Sequence, residues 1–231
     1  MSSYPNYDIV VMGSSVKLDV GFIGISNITL IEVADGYILF DVGGPVTRDM
    51  LIKGLRDRGI SPSDITKVFL SHLHSDHCLN IDVFPFTTEV FVSKEEWAYV
   101  DKPHEKDIYI PWLIKEQLSR YRLSIIEGRG DLAPGVKYFP APGHTPGCYG
   151  IKLALLDGSR VTLAGDAIKM PTEALRGRAD MCFDTKEASA NTIAEILADS
   201  DIIIPGHYPP LTIEDGSLYW TDPQLISLVV R

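Results

Sequence analysis

Within one heptapeptide, Ser71-His72-Leu73-His74-Ser75-Asp76-His77, the chain gathers three imidazoles and a carboxylate. Neutral imidazole and carboxylate are donors that divalent zinc, iron or manganese accept. In a tight loop the side chains of His72 and His74 can point to one ion while Asp76 and His77 turn toward a second. A polar, His-rich loop without metal is the plainer alternative. The rest of the chain weighs against it by supplying the missing ligands. His144 sits in the loop Ala141-Pro142-Gly143-His144-Thr145-Pro146-Gly147, Asp166 follows Gly165, and His207 follows Pro205-Gly206.

Strands must carry these groups to one place. The apolar run Lys67-Val68-Phe69-Leu70 reads as a buried strand feeding the histidines. Strands rich in Ile and Val are expected at 8–12, 16–23 and 27–33. Asp35-Gly36 marks a hairpin turn into Tyr37-Ile38-Leu39-Phe40. That strand ends at Asp41-Val42-Gly43-Gly44, where glycines let the backbone turn sharply. Met50, Leu51 and Leu55 at helical spacing predict a helix over 47–58 with Gly59 as its cap, and 61–64 starts a short turn or helix. Further on come a strand at Glu89–Ser93, a short helix at 94–100, a charged loop over 101–107 and a helix at 112–120. Strands near 121–127 and 135–139 lead to the His144 loop. Residues 148–156 and 160–164 pair across Asp157-Gly158, a helix covers 185–198, and 201–204 is a last short strand. A buried strand thus repeatedly runs into a loop presenting His or Asp, at 72–77, 144, 166 and 207. With no low-complexity segment and no clear linker, 1–231 reads as a single domain.

Composition narrows the function. At 231 residues the chain is long enough for one well-buried core. Its formal charge of −10 disfavours a nucleic-acid partner, because phosphate binding wants a basic face. No apolar run approaches the roughly 20 residues of a membrane span, and the N-terminus lacks the basic start and apolar core of a signal peptide. Cys78, Cys148 and Cys182 are an odd, widely spaced trio, which points to a reducing, cytoplasmic setting rather than a disulfide framework.

In order, His72-x-His74-x-Asp76-His77, His144, Asp166 and His207 resemble the ligand set of the metallo-β-lactamase superfamily. The flanks agree, with Asn27 and Asp41-x-Gly43 before the motif and Gly143-His144-Thr145 and Gly165-Asp166 after it. The resemblance implies an α/β (α+β) fold, a four-layer αββα sandwich with the site at one edge between two sheets. It also implies that His72, His74 and His144 hold one metal ion, that Asp76, His77 and His207 hold a second, and that Asp166 bridges them. Zinc is the leading identity, with iron or manganese as alternatives. Two such ions lower the pKa of a shared water, and the bridging hydroxide attacks a carbonyl or phosphoryl centre. Asp76 would orient that water or move its proton as the catalytic carboxylate. Asp41 fits the role of accepting a ligand imidazole N–H, beside its plainer role as a strand-end turn former.

Departures from that pattern sort the relatives. Zinc β-lactamases of the main subclass carry Cys at the position of Asp166, which argues against β-lactam substrates. Only 24 residues follow His207, too few for the helical substrate domain of glyoxalase II. The gap from Asp166 to His207 leaves no room for the inserted domain of cleavage-and-polyadenylation nucleases, and flavodiiron proteins have Glu at the position of His74. Quorum-signal lactonases match in size and ligands but place Tyr where Lys169 stands. Asp76-His77-x-x-Asn80 with Phe84-Pro85 resembles the stand-alone metallo-β-lactamase domain-containing protein 1 type, for which a ribonuclease would be implied. A small ester, thioester or lactone is the expected substrate, with a metal-dependent nuclease or a non-catalytic metal-binding protein as alternatives.

Other residues have plainer readings beside the functional ones. Cys78 and Cys148 lie near ligands in sequence, but free cysteines are most often buried small apolar groups. His104 sits among charges and reads as a solvated loop residue. Lys169, Arg176 and Arg178 follow Asp166 on an expected loop flanking the site, where binding an anionic substrate group and ordinary surface charge are both open, Lys169 being the substrate-wall candidate. Tyr208, next to His207, is a second pocket candidate. Tyr99, Tyr109 and Trp112 suit a pocket wall, core packing or the contact of a homodimer equally well.

Overall fold

The computed structural model of the protein describes residues 4–19 and 21–221. Residues 1–3 of the N-terminal reading, Val20 of the expected 16–23 strand and the last ten residues of the expected domain lie outside the described residues. In chain order the strands of the first half are β1 (Asn6–Val11), β2 (Lys17–Leu18), β3 (Gly21–Phe22), β4 (Ile28–Val33), β5 (Gly36–Phe40), β6 (Ile65–Phe69), β7 (Glu89–Ser93) and β8 (Arg122–Ile126). The second half supplies β9 (Gly130–Ala133), β10 (Val136–Pro140), β11 (Tyr149–Ala154), β12 (Arg160–Gly165), β13 (Ile202–Pro205), β14 (Leu211–Glu214) and β15 (Ser217–Trp220). Helices are α1 (Arg48–Asp57), α2 (Ser75–Cys78), α3 (Lys94–Tyr99), α4 (Ile114–Leu118), α5 (Pro171–Arg176) and α6 (Lys186–Asp199).

Two mixed sheets result. One has the order β1-β4-β5-β6-β7-β8 and the other β15-β14-β13-β12-β11-β10-β9, with β2 and β3 pairing on their own. The β5–β6, β6–β7, β7–β8 and β12–β13 pairs are parallel. Parallel neighbours end at the same sheet edge, so β5, β6, β12 and β13 deliver the residues that follow them together.

The layering follows from the two-residue period of a strand, which turns successive side chains to opposite faces. Leu30, Leu39 and Val68 face a cluster with Leu51 and Leu55 of α1 and with Ile114 and Leu118 of α4. Their neighbours Ile31, Ile38, Phe40 and Phe69 face Ile151, Leu153, Leu163 and Ile204 of the second sheet. On the far side of that sheet, Ala164 and Ile203 meet Ile193 and Ile196 of α6. Three apolar layers between four tiers of structure make an αββα sandwich, as expected. The helix α1 approaches β1 through Gly54, where a Cβ would stand 2.6 Å from Val10 Cγ1 and 2.8 Å from the Val10 carbonyl oxygen. A backbone atom cannot move aside cheaply. Gly54→Ala should therefore destabilise by about 1–3 kcal/mol, read from the urea midpoint, although Ala favours helix.

Several local expectations change. The 16–23 stretch forms the short hairpin of β2 and β3 instead of one strand. Asp76 and His77 stand on the helical turn α2, so the His-rich segment is only half a loop. Beyond Asp166 the expected loop is interrupted by α5, which starts with Pro171 and stops at left-handed Gly177, φ 63°. Arg176 therefore ends a helix, and it and Arg178 are exposed. Strands β9, β14 and β15 were not anticipated.

Candidate metal centre

The centre is assembled where the parallel strands end. After β5 the chain turns at Asp41, whose φ of 60° is unusual for a residue with a side chain. That turn aims the carboxylate at the end of β6. Asp41 Oδ1 accepts the Ser71 amide at 2.7 Å, and Oδ2 accepts the Ser71 hydroxyl at 2.8 Å and His77 Nδ1 at 2.8 Å. Asp41 thus shapes the turn and receives the His77 ring nitrogen. On the other side, Asn27 ties the 205–208 loop down, donating to the carbonyls of Pro205 at 2.6 Å and Tyr208 at 2.8 Å.

Each of the five inward histidines has one ring nitrogen assigned by an acceptor. His77 Nδ1 donates to Asp41. His74 Nε2 donates to Asp107 Oδ2 at 3.0 Å, His144 Nδ1 to the Met181 carbonyl at 2.9 Å and His207 Nδ1 to the Ile25 carbonyl at 3.0 Å. The Ser71 hydroxyl, whose proton goes to Asp41, accepts His72 Nδ1 at 3.0 Å. An imidazole donating from one nitrogen presents a lone pair on the other. Those five lone pairs converge.

Their geometry is that of a cation site. The ligand atoms of His72, His74 and His144 lie within 4.8 Å of one another, as do those of His72, His77 and Asp166, and of Asp76, His77 and His207. His144 Nε2 is 3.0 Å from His74 Nδ1, and His77 Nε2 is 3.4 Å from His207 Nε2. Such pairs put lone pair against lone pair, which repels unless a cation lies between them. Asp166 spans both groups, with Oδ2 3.3 Å from His144 Nε2 and Oδ1 3.2 Å and 3.3 Å from His77 and His207 Nε2. Asp76 Oδ2 is 3.4 Å from His207 Nε2. His72 Nε2 is buried without a hydrogen-bond partner, an orphan that a metal ion would satisfy. A Cβ at Gly206 would run into Asp166 Oδ1, so the glycine makes room for that carboxylate.

Electrostatics point the same way. Burial opposes charge on His77, yet Asp166, Asp41 and Asp76 hold it well above the ordinary imidazole value. His207 is raised likewise, with Asp166 and Asp76 outweighing burial. Burial and its cationic neighbours push His72 well down, and burial with Lys169 lowers His144. Asp166 stays far below the usual carboxylate range because His207, His77 and His144 outweigh its desolvation.

Three supporting residues escaped the sequence. Asp107 takes the N–H of His74, and the Tyr99 hydroxyl donates to the same oxygen at 2.9 Å. Glu96 is buried and joins the two ligand loops, accepting the Leu73 amide at 2.9 Å and the Thr145 hydroxyl at 2.6 Å. Desolvation raises its pKa. Phe183 lays its ring 5.8 Å from those of both His74 and His144. Carboxylates that hold a ligand imidazole tune metal affinity. Asp107→Asn should weaken metal binding about 10–100-fold in competition with a chromophoric chelator, with little change in fold.

The remaining candidates fall as follows. Lys169 is buried, with Nζ 2.8 Å from Glu173 Oε1, instead of standing on an open loop. Its pKa is raised, burial being outweighed by Asp166 and Glu173. Tyr208 packs its ring against the cluster between the second sheet and α6. Tyr109 faces His74 at 5.5 Å, whereas Trp112 is 94% exposed. Cys78 and Cys148 are buried, and His104 is exposed.

Known proteins resemble this chain in sequence and in fold. Residues 21–207 match the metallo-beta-lactamase superfamily. Metallo-beta-lactamase domain-containing protein 1 of Xenopus laevis is 29% identical over 188 residues, covering 78% of this chain and 70% of the relative. An N-acyl homoserine lactonase of a Bacillus species is 27% identical over 161 residues, 60% of this chain and 62% of that enzyme. A metallo-beta-lactamase structure from Thermotoga maritima superposes with a TM-score of 0.73 at 22% identity, covering 90% of this chain and 99% of the other. With the match running through every candidate ligand and the layers in the expected order, the protein belongs to the metallo-beta-lactamase superfamily of metal-dependent hydrolases.

Proposed function

We propose that this chain, as one domain over 1–231, is a dinuclear zinc hydrolase acting on a small ester, thioester or lactone. The observation that carries the reading is the convergence of the His72, His77, His144 and His207 ring nitrogens on Asp166, whose two oxygens face different histidines. His72, His74 and His144 are assigned to one ion, Asp76, His77 and His207 to the other, and Asp166 to both. The nitrogen-rich donor set favours zinc over iron or manganese. Bound there, a pair of divalent ions lowers the pKa of shared water and offsets the negative charge that develops on a carbonyl oxygen.

The protein's own groups do the rest. Asp41 and Asp107 fix the tautomers of His77 and His74, so that lone pairs face inward. Asp76 is the most accessible of the ligand carboxylates, its side chain 31% exposed, and is assigned to orienting the attacking water and moving its proton. Lys169, felt electrostatically by both Asp166 and His144, and Tyr208 beside His207 are assigned to the substrate wall. The ester or lactone class is supported by the lactonase relative; the net charge of −10 weighs against polyanionic substrates. Among the described residues no helix is long and apolar enough to cross a membrane, and three free cysteines suit a reducing cytoplasm.

The test is metal analysis of purified protein followed by parallel assays on lactone, thioester and phosphodiester probes. Two equivalents of zinc with lactone or thioester turnover is the expected result. Phosphodiester turnover alone would move the assignment to a nuclease, and two bound ions with no turnover on any probe would make the centre structural.

A further inference from the structure

Outside the ligand set, one buried carboxylate touches the segments that position two of the ligands. Glu173 on α5 is fully buried. Its Oε2 accepts the Lys169 amide at 2.6 Å, and its Oε1 accepts the Asp180 amide at 2.7 Å and lies 2.8 Å from Lys169 Nζ. Each tethered segment then grips a histidine through its backbone. From the first, the carbonyls of Ile168 and Lys169 accept the amides of Gly206 at 2.9 Å and His207 at 3.0 Å. In the second, one residue past Asp180, the Met181 carbonyl accepts His144 Nδ1 at 2.9 Å, and the Phe183 amide donates to the His144 carbonyl at 2.9 Å. His144 and His207 belong to opposite halves of the centre.

We infer that Glu173 is a positioning residue that sets His144 and His207 together, joining the two metal subsites through one carboxylate. The inference rests on the ligand assignment proposed above. A carboxyl side chain suits the position, because its two oxygens each accept a backbone N–H group. Glutamine would turn its own N–H toward one of them. The Lys169 ammonium balances the buried charge, and losing either partner strands the other. Lys169 thereby serves the centre from behind as well as beside it.

The experiment measures release of zinc from loaded protein to a chromophoric chelator, with the absorption spectrum of the cobalt(II) form as a second readout. Glu173→Gln should release both ions about 10–100-fold faster than wild type, the scale on which outer partners of ligands act, and should shift the cobalt bands. The double variant Lys169→Met, Glu173→Gln removes the stranded ammonium as well and should show the same acceleration. Ser200→Ala is the control: it removes a buried hydroxyl bonded to Thr162 and Ile196, remote from the ligands. It should lower the thermal midpoint while leaving release unchanged. If either folded Glu173 variant releases zinc within about twofold of wild type, with only its melting temperature lowered, the positioning role is overturned and the ligand assignment stands. Wild-type protein that takes up neither zinc nor cobalt overturns both.

Discussion

Exhaustive chelation should remove all hydrolytic activity, and added zinc or cobalt(II) should restore it. The stripped protein should also melt earlier. A ligand present at a thousand times its dissociation constant stabilises the folded state by about 4 kcal/mol, and each kcal/mol moves the midpoint of a chain this size by about 2–4 °C. A fall of roughly 8–16 °C is therefore expected by calorimetry. The cause is visible in the 3.0 Å contact between His74 Nδ1 and His144 Nε2. Both nitrogens present lone pairs, since the other nitrogen of each ring donates to Asp107 or Met181. Without a cation, the centre must take up protons or open. Protons and metal thus compete for the same lone pairs, so zinc affinity should fall as pH drops through the imidazole range. Full activity in a preparation shown to be metal-free would sink the dinuclear reading.

The candidate ligands stood out because they follow runs of β-forming residues, His144, Asp166 and His207 as the first polar residue and the 72–77 group just past Ser71, and that pattern is local. The layers were legible for a similar reason. Leu30 against Ile31 and Leu39 against Phe40 show the alternation of strands buried on both faces. What failed to show were contacts made only in three dimensions. Asp107 ends a segment dense in charge, and nothing in its spacing separates it from Asp101 or Glu105. Its role appears once α3 and the following loop bring it 3.0 Å from a histidine 33 residues earlier. Phe183 and Glu173 are hidden in the same way. Helix α5 is a different case: Pro171 and Gly177 are ordinary start and stop signals, but the helix is only six residues long, too few for a hydrophobic period to emerge. The Asp215-Gly216 turn between β14 and β15 was equally readable, though it lies beyond the last ligand.

Asp166→Asn should be among the most damaging single substitutions. The asparagine keeps the size and one oxygen of the carboxylate and loses its charge. Its amide nitrogen must then face either His144, 3.3 Å from Oδ2, or His77 and His207, 3.2 and 3.3 Å from Oδ1. Whichever way it turns, one group of imidazoles meets a donor instead of a shared anion. Removing an outer partner of a ligand costs about 10–100-fold in affinity or activity, and a group assigned to both ions should exceed that. A loss of more than about 100-fold in kcat/KM is expected, with zinc content falling from two equivalents toward one. Burial of Asp166 prevents water from replacing the lost oxygen. Asp76→Asn makes the informative contrast: its carboxylate is partly exposed and assigned to one ion, so kcat should fall by about 10²–10⁴ with more zinc retained than in Asp166→Asn. If Asp166→Asn binds two ions as tightly as wild type and turns over within about tenfold of it, Asp166 does not join the two ions, and the centre works through two independent sites.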